Sequence, residues 1–154
     1  MFTAAGCTNV RTYIQSGNVV FDAPAKVASK IAAVIAAEIS KTFGFDTTLV
    51  MRTAAELAEA ASKHPFHKPG IEDTKLAVLF LADEPHPDHV SALDPNRSPC
   101  DVYVVRGRDI FSYYPNGAGN SKLTNAYFDS RLKTVSTGRN WRTVQTLHEM
   151  ASGK

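Results

Sequence analysis

"KLAVLFLA", residues 75–82, is a continuous apolar run of strand-forming residues. An uninterrupted run, without the alternation of a half-exposed strand, is the mark of a strand buried on both faces. The elements downstream are read outward from it. Pro85 and Pro87 start a short helix through Leu93, and "DPNRSPC" (94–100) is a loop. "DVYVVR" (101–106) and "DIFSYY" (109–114) are two strands joined through Gly107, a hairpin. "PNGAGNS" (115–121) is a loop. Leu123, Tyr127, Phe128 and Leu132 mark a helix capped by Asn120 or Ser121. A last helix starts near Asn140 and carries Trp141, Val144, Leu147 and Ala151 at helical spacing. The order βαββα plus one helix is close to a βαββαβ plait, an antiparallel sheet with two helices on one face.

Upstream, "TYIQSGNVVF" (12–21) reads as a hairpin. Val10, Thr12 and Ile14 alternate with Arg11, Tyr13 and Gln15. A turn centred on Ser16-Gly17 or Gly17-Asn18 keeps Ile14 on the face of Val19 and Phe21. A long helix follows, with Pro24 in its first turn. Val27, Ile31, Ile35 and Ile39 form its apolar stripe, with Val34 beside them, and Gly44 ends it. "FDTTLVMR" (45–52) reads as a strand. Thr53 and Glu56 form a capping-box pattern opening a helix with Leu57 and Ala61. "HPFHKPGIED" (64–73), rich in breakers, marks the boundary between halves. The expected organisation is therefore α+β. It comprises an incomplete N-terminal plait (ββαβ) plus linker helix over 1–63, and a C-terminal plait plus terminal helix over 64–154.

Three stretches carry a family resemblance. "NVRTYIQSGNVVF" (9–21), "YYPNGAGNSKLTNAYF" (113–128) and "TGRNW" (137–141) resemble, in order, the bacterial domain of unknown function 1697 family. The third departs slightly, since the family often has Thr or Ala at Gly138. The resemblance implies two ferredoxin-like α/β-plait subdomains and no particular activity. Similar proteins begin with a strand, a glycine loop and a helix before the hairpin. Their absence here leaves three expectations: an N-terminal truncation, direct pairing of the Val19–Asp22 and Phe45–Arg52 strands, or another chain filling the gap; we expect a protein less stable and more self-associating than its full-length relatives.

Composition narrows the function classes. No apolar run approaches the roughly 18 residues of a membrane span, and the opening residues lack a secretory pattern. Two cysteines, Cys7 and Cys100, point to reduced thiols and a cytoplasmic protein. Net charge is +2, unevenly placed: residues 1–100 carry nine Lys/Arg against eleven Asp/Glu, residues 101–154 eight against four. An anionic partner, small molecule or nucleic acid, would prefer the C-terminal third, although the excess is far short of a DNA binder's basic stripe.

The candidate site is the loop 113–123. Gly117 and Gly119 let backbone amides approach a ligand. Asn120 or Ser121 would open a helix whose free N–H groups attract anions, with Lys122 in its first turn. Tyr114, Asn116 and Asn125 add polar groups, and Arg139 and Asn140 of "GRNW" offer a fork for an oxyanion and a cap. This is not a Walker A loop, because Asn120 and Ser121 separate Gly119 from Lys122. Ordinary strand-to-helix capping explains the same residues without a ligand, and Trp141 reads as core. His64/His67 and His86/His89 have the spacing of paired metal ligands, but no cysteine supports either pair; no metal or cofactor is expected. There is no nucleophile motif and no acidic pair at a strand end, so a catalytic residue is not assigned. The expected function is anion binding at this loop; the alternatives are an enzyme on a small phosphorylated or carboxylated substrate, or a structural protein.

Overall fold

In the computed structural model, which describes residues 1–13 and 17–153, the chain divides into two compact units. The first is Met1–Met51 with Glu149–Lys154; the second is Arg52–His148. The division falls after Met51, so the capping-box helix belongs to the second unit and not to a first half ending at residue 63.

In the first unit, β1 (Thr8–Tyr13) and β2 (Asn18–Asp22) pair antiparallel as a two-stranded sheet, with an irregularity between Thr8 and Arg11. Asn9 sits there at φ 54, and its side chain reaches back to Asp22 (3.2 Å). The expected placement of Ile14 and of Ser16 in the turn lies outside the described residues. The long helix is two: α1 (Ala25–Ala28) and α2 (Ile31–Phe43). Ser29 breaks it, its hydroxyl donating to the Lys26 carbonyl, a local bond that competes with helix continuation. The apolar stripe survives the break. Ile31 and Ile35 are buried with Cys7, and Val10, Phe21, Val27 and Ile39 pack around them. Val34 points outward, at 47 % exposure. Gly44 ends α2 in the left-handed conformation (φ 76), where a side chain would be strained. The strand expected over 45–52 is not part of either sheet. Leu49 and Met51 nonetheless pack on the α2 cluster at alternate positions, so the apolar signal was packing without a ladder.

The second unit opens with α3 (Ala54–Ser62), capped by Thr53, followed by β3 (Leu76–Leu81), α4 (Pro87–Ser91), β4 (Val102–Arg106) and β5 (Asp109–Tyr113). Then come α5 (Asn125–Leu132), β6 (Ser136–Asn140) and α6 (Trp141–Ala151). The four strands form one sheet in the order β4-β5-β3-β6, every neighbour antiparallel. β3 is central, and five of its six residues are buried. On one face Leu79, Leu81 and Ile110 meet Tyr127, Phe128 and Leu132 of α5, Leu93, and Val90 of α4. On the other, Phe80 lies under the Arg52 guanidinium, and Phe111 meets the edge of the His64 ring, which also abuts Trp141. The protein is thus α+β, with two antiparallel sheets of two and four strands. No helix among the described residues is long and apolar enough to cross a membrane.

"TGRN" is a correction. The expected order has no strand before the last helix; Ser136–Asn140 is the edge strand β6, paired with β3 from Ser136↔Leu81 to Asn140↔Ala77. Its side chains are mostly polar because an edge strand is only half-covered, so no apolar alternation announces it. Asn140 does cap α6: its Oδ1 accepts from the Thr143 amide at 2.9 Å.

Candidate functional site

The glycine loop does not open a helix. Ala118–Asn120 forms a single 3-10 turn, and α5 begins only at Asn125, capped by Thr124, whose hydroxyl accepts from the Tyr127 amide (3.1 Å). The cap assigned to Asn120 or Ser121 is therefore corrected, and Lys122 lies before the helix. Ser121 and Asn120 are turned to other work. The Ser121 hydroxyl accepts from the Leu123 amide, and the Asn120 side chain donates to the Asn116 carbonyl. The reason lies in a neighbouring segment that sequence reading passed over. Ser98, buried, accepts from the Lys122 amide (3.1 Å) and donates to Asp101 (2.6 Å), while Arg97 donates to the Lys122 carbonyl and lies 4.1 Å over the Tyr127 ring. These bonds hold residues 121–123 out of the helix, with Ser121 extended and a bend at Lys122.

Nor are the other expected residues brought together. Tyr114 is buried, its amide bonded to the Lys75 carbonyl and its phenol pushed up by burial. Gly117 (φ 88) and Gly119 lie at the surface with Asn116 and Lys122. Asn125 donates to Ser136, which donates to Asp129. Gly138 faces Leu79 and Asn125, so by strand alternation Arg139, paired with Val78, projects from the opposite face of the sheet. There the Arg139 guanidinium donates to the Thr137 hydroxyl (2.6 Å) and the Gly138 carbonyl (2.8 Å), and burial lowers its pKa. Asn125 and Arg139 thus cannot close on one ligand.

The histidine pairs also resolve. His64 is 2 % exposed, with Nε2 donating to the Ala77 carbonyl (3.1 Å) and Nδ1 accepting from the Phe66 amide (3.2 Å). Those partners assign the Nε2–H tautomer and use both nitrogens. His86 Nδ1 accepts from the Asp88 amide at the start of α4. Among the described residues no three His, Cys, Asp or Glu side chains are grouped to hold a metal.

A different place gathers charge. A cleft of about 460 Å³ lies between α3 and the β4–β5 turn. Its architecture starts from the capping box: the Thr53 hydroxyl accepts from the Glu56 amide, and Glu56 Oε2 accepts from the Thr53 amide (2.8 Å). That amide, then Arg108, holds the Glu56 carboxyl below its usual range. Glu56 Oε1 is left facing out and takes Arg108 at 2.9 Å. Deeper, Arg52 is spent on structure. Its Nη2 donates to the carbonyls of Leu81 (3.0 Å) and Arg108 (2.6 Å) and to Asp109 Oδ1 (3.0 Å), fastening the ends of β3 and β5. Burial lowers the Arg52 pKa and raises that of Asp109, each opposed by the other's charge. With Glu56 matched by Arg108 and Asp109 by Arg52, the lining charges that remain are Lys63, Arg106 and Glu59. Arg106 is exposed, its guanidinium 5.7 Å from the Phe111 ring centre. The cleft can therefore offer two cations, with the buried Phe111 ring behind Arg106. It was invisible to sequence reading because Lys63 and Arg106 are far apart in the chain and follow no motif.

Fold and cleft together define an α+β protein with a cationic surface pocket. The chain matches the model of a family described as a protein of unknown function, DUF1697, over residues 1–111, and it belongs to that family. The match contains the 9–21 stretch and ends before the 113–128 and 137–141 stretches. No curated protein and no solved structure matches the chain.

Proposed function

We propose that this protein is a binding protein for a small anionic ligand with a flat or apolar part, and that the ligand sits in the α3/β4–β5 cleft rather than on the glycine loop. One observation carries the reading. The two structural acids of the cleft are already paired with arginines, leaving Lys63 and Arg106 on its rim against the single acid Glu59. A guanidinium forks a carboxylate or phosphate, and its flat face stacks on a planar group. Glu56 and Asp109 are engaged with arginines, and the Ser62 hydroxyl donates to the Glu59 carbonyl; binding therefore fits the lining better than catalysis. We read the second unit as a ferredoxin-like α/β plait: its βαββαβ order and the β4-β5-β3-β6 arrangement support this. The reading is not extended to the first unit, whose sheet has two strands. A cytoplasmic setting fits the two free thiols, Cys7 and Cys100.

Calorimetric titration with inorganic phosphate, nucleoside monophosphates and aromatic carboxylates tests this. Charge-assisted hydrogen bonds contribute about 1.5–3 kcal/mol. Arg106→Ala should therefore weaken the bound probe by about tenfold or more, Lys63→Ala should weaken it too, and Lys122→Ala should leave it unchanged. Binding lost in Lys122→Ala but kept in Arg106→Ala would return the site to the glycine loop. No binding of any probe would remove the proposal.

A further inference from the structure

Strand β4 forms one edge of the four-stranded sheet, and its sequence does nothing to guard that edge. Val102–Arg106 reads VYVVR, without proline or lysine, and its five pairs with β5 run without a bulge. Such devices are how natural sheets keep edges from pairing with other chains. The β4–β5 connection is the two-residue turn Gly107-Arg108, with Gly107 at φ 59. In a two-residue hairpin the flanking pair, here Arg106 and Asp109, exchanges both backbone hydrogen bonds. Alternation then turns the N–H and C=O groups of Val104 and Val102 inward to β5, and those of Tyr103 and Val105 outward. Among the described residues, neither Tyr103 nor Val105 makes a backbone bond outside the sheet.

We propose that β4 of a second copy of this chain occupies this edge, antiparallel about a two-fold axis at Val104, so that two four-stranded sheets become one. The strand is self-complementary in that register. Tyr103 of one copy faces Val105 of the other, and the reverse, so all four outward donors and acceptors on each copy are paired. Both pairs are aromatic with β-branched, a favourable cross-strand combination. Val104 meets Val104 at the axis, and Val102, 41 % exposed in the single chain, is covered by the stem of Arg106. Charge selects the direction. Each β4 starts with Val102 and ends in Arg106, so antiparallel pairing sets each Arg106 across from an apolar residue. Parallel pairing would stack Arg106 on Arg106. Tyr103 and Val105 already pack on the helix-face core, which holds the strand in shape for docking. An isologous contact of this kind closes at two copies.

Sedimentation of the full chain over a wide concentration range, with two charge variants, tests this. Wild type should show a monomer–dimer equilibrium. Val104→Lys and Val104→Glu should each weaken it by about tenfold or more, since like charges meet at the axis. An equimolar mixture of the two should restore the dimer. A wild type that stays monomeric, or a dimer unchanged in both variants, would overturn the proposal. Hydrogen exchange on the wild type needs no variant to fold: amides of Tyr103 and Val105 should gain protection as concentration rises. Loss of that concentration dependence, with a dimer present, would also place the contact elsewhere and overturn it.

Discussion

His64 shows what one residue can be made to do by its surroundings. Its ring is sealed among Phe66, Phe111 and Trp141, and the Phe66 amide donating to Nδ1 suits only the neutral form, while Nε2 donates to the Ala77 carbonyl. Burial, and then the nearby His67 and Arg106 charges, lower its pKa from the ordinary 6.5, while the Ala77 carbonyl resists. The unfolded chain therefore takes up a proton near pH 6.5 that the folded chain refuses. The His64 contribution to stability is fully present above that pH and is lost as pH falls toward the lowered folded value. Unfolding followed by the fluorescence of Trp141, the single tryptophan, should show this acid-side loss. His64→Gln should flatten it, and an unchanged slope in that variant would put the effect elsewhere. Arg52 is the second residue of this kind. Arg52→Ala removes the guanidinium from the Asp109 carboxylate and the Leu81 and Arg108 carbonyls, of which Arg108 keeps the Leu81 amide, and should destabilise the second unit by about 3–5 kcal/mol, measured by urea unfolding. Neither role was legible beforehand: His64 read as a possible metal ligand, and Arg52 as the end of a strand.

At the scale of elements, legibility followed the strength of the apolar pattern and the presence of local capping chemistry. The run at 75–82 was read as doubly buried and is the central strand β3, because only a core strand can spend six apolar residues in a row. Thr53 and Glu56 sit in a complete capping box, a signal that needs four residues and no tertiary context. Thr53→Ala should cost about 1 kcal/mol by thermal unfolding and also loosen the Glu56–Arg108 contact; a neutral effect would mean the cap is redundant. The misses have the opposite character. Strand β6 hides in polar residues because an edge strand needs little apolar surface. The start of α5 lies at Asn125 because Arg97 and Ser98, remote in sequence, hold Lys122 out of the helix. Residues 45–52 join neither sheet; Leu49 and Met51 supply side chains to the α2 cluster, and Arg52 serves the second unit.

The whole molecule is two units built to different standards: a hairpin with two helices, and a four-stranded sheet covered on both faces. The site expected from sequence is chain-local, glycines followed by a helix, and the helix begins later, at Asn125. The cleft between α3 and the β4–β5 turn depends on β5 and α3 meeting through Arg52, Glu56 and Arg108, a relation that exists only once the second unit has folded. The account therefore stands on Lys63 and Arg106 as the cations left over after the cleft's own acids are matched. Amide chemical-shift mapping of the full chain during titration with a nucleoside monophosphate tests this most directly. The account predicts shifts concentrated at Lys63, Arg106, Gly107 and Arg108, saturating together. Shifts centred on Gly117, Gly119 and Lys122, with the α3/β4–β5 cleft silent, would contradict it.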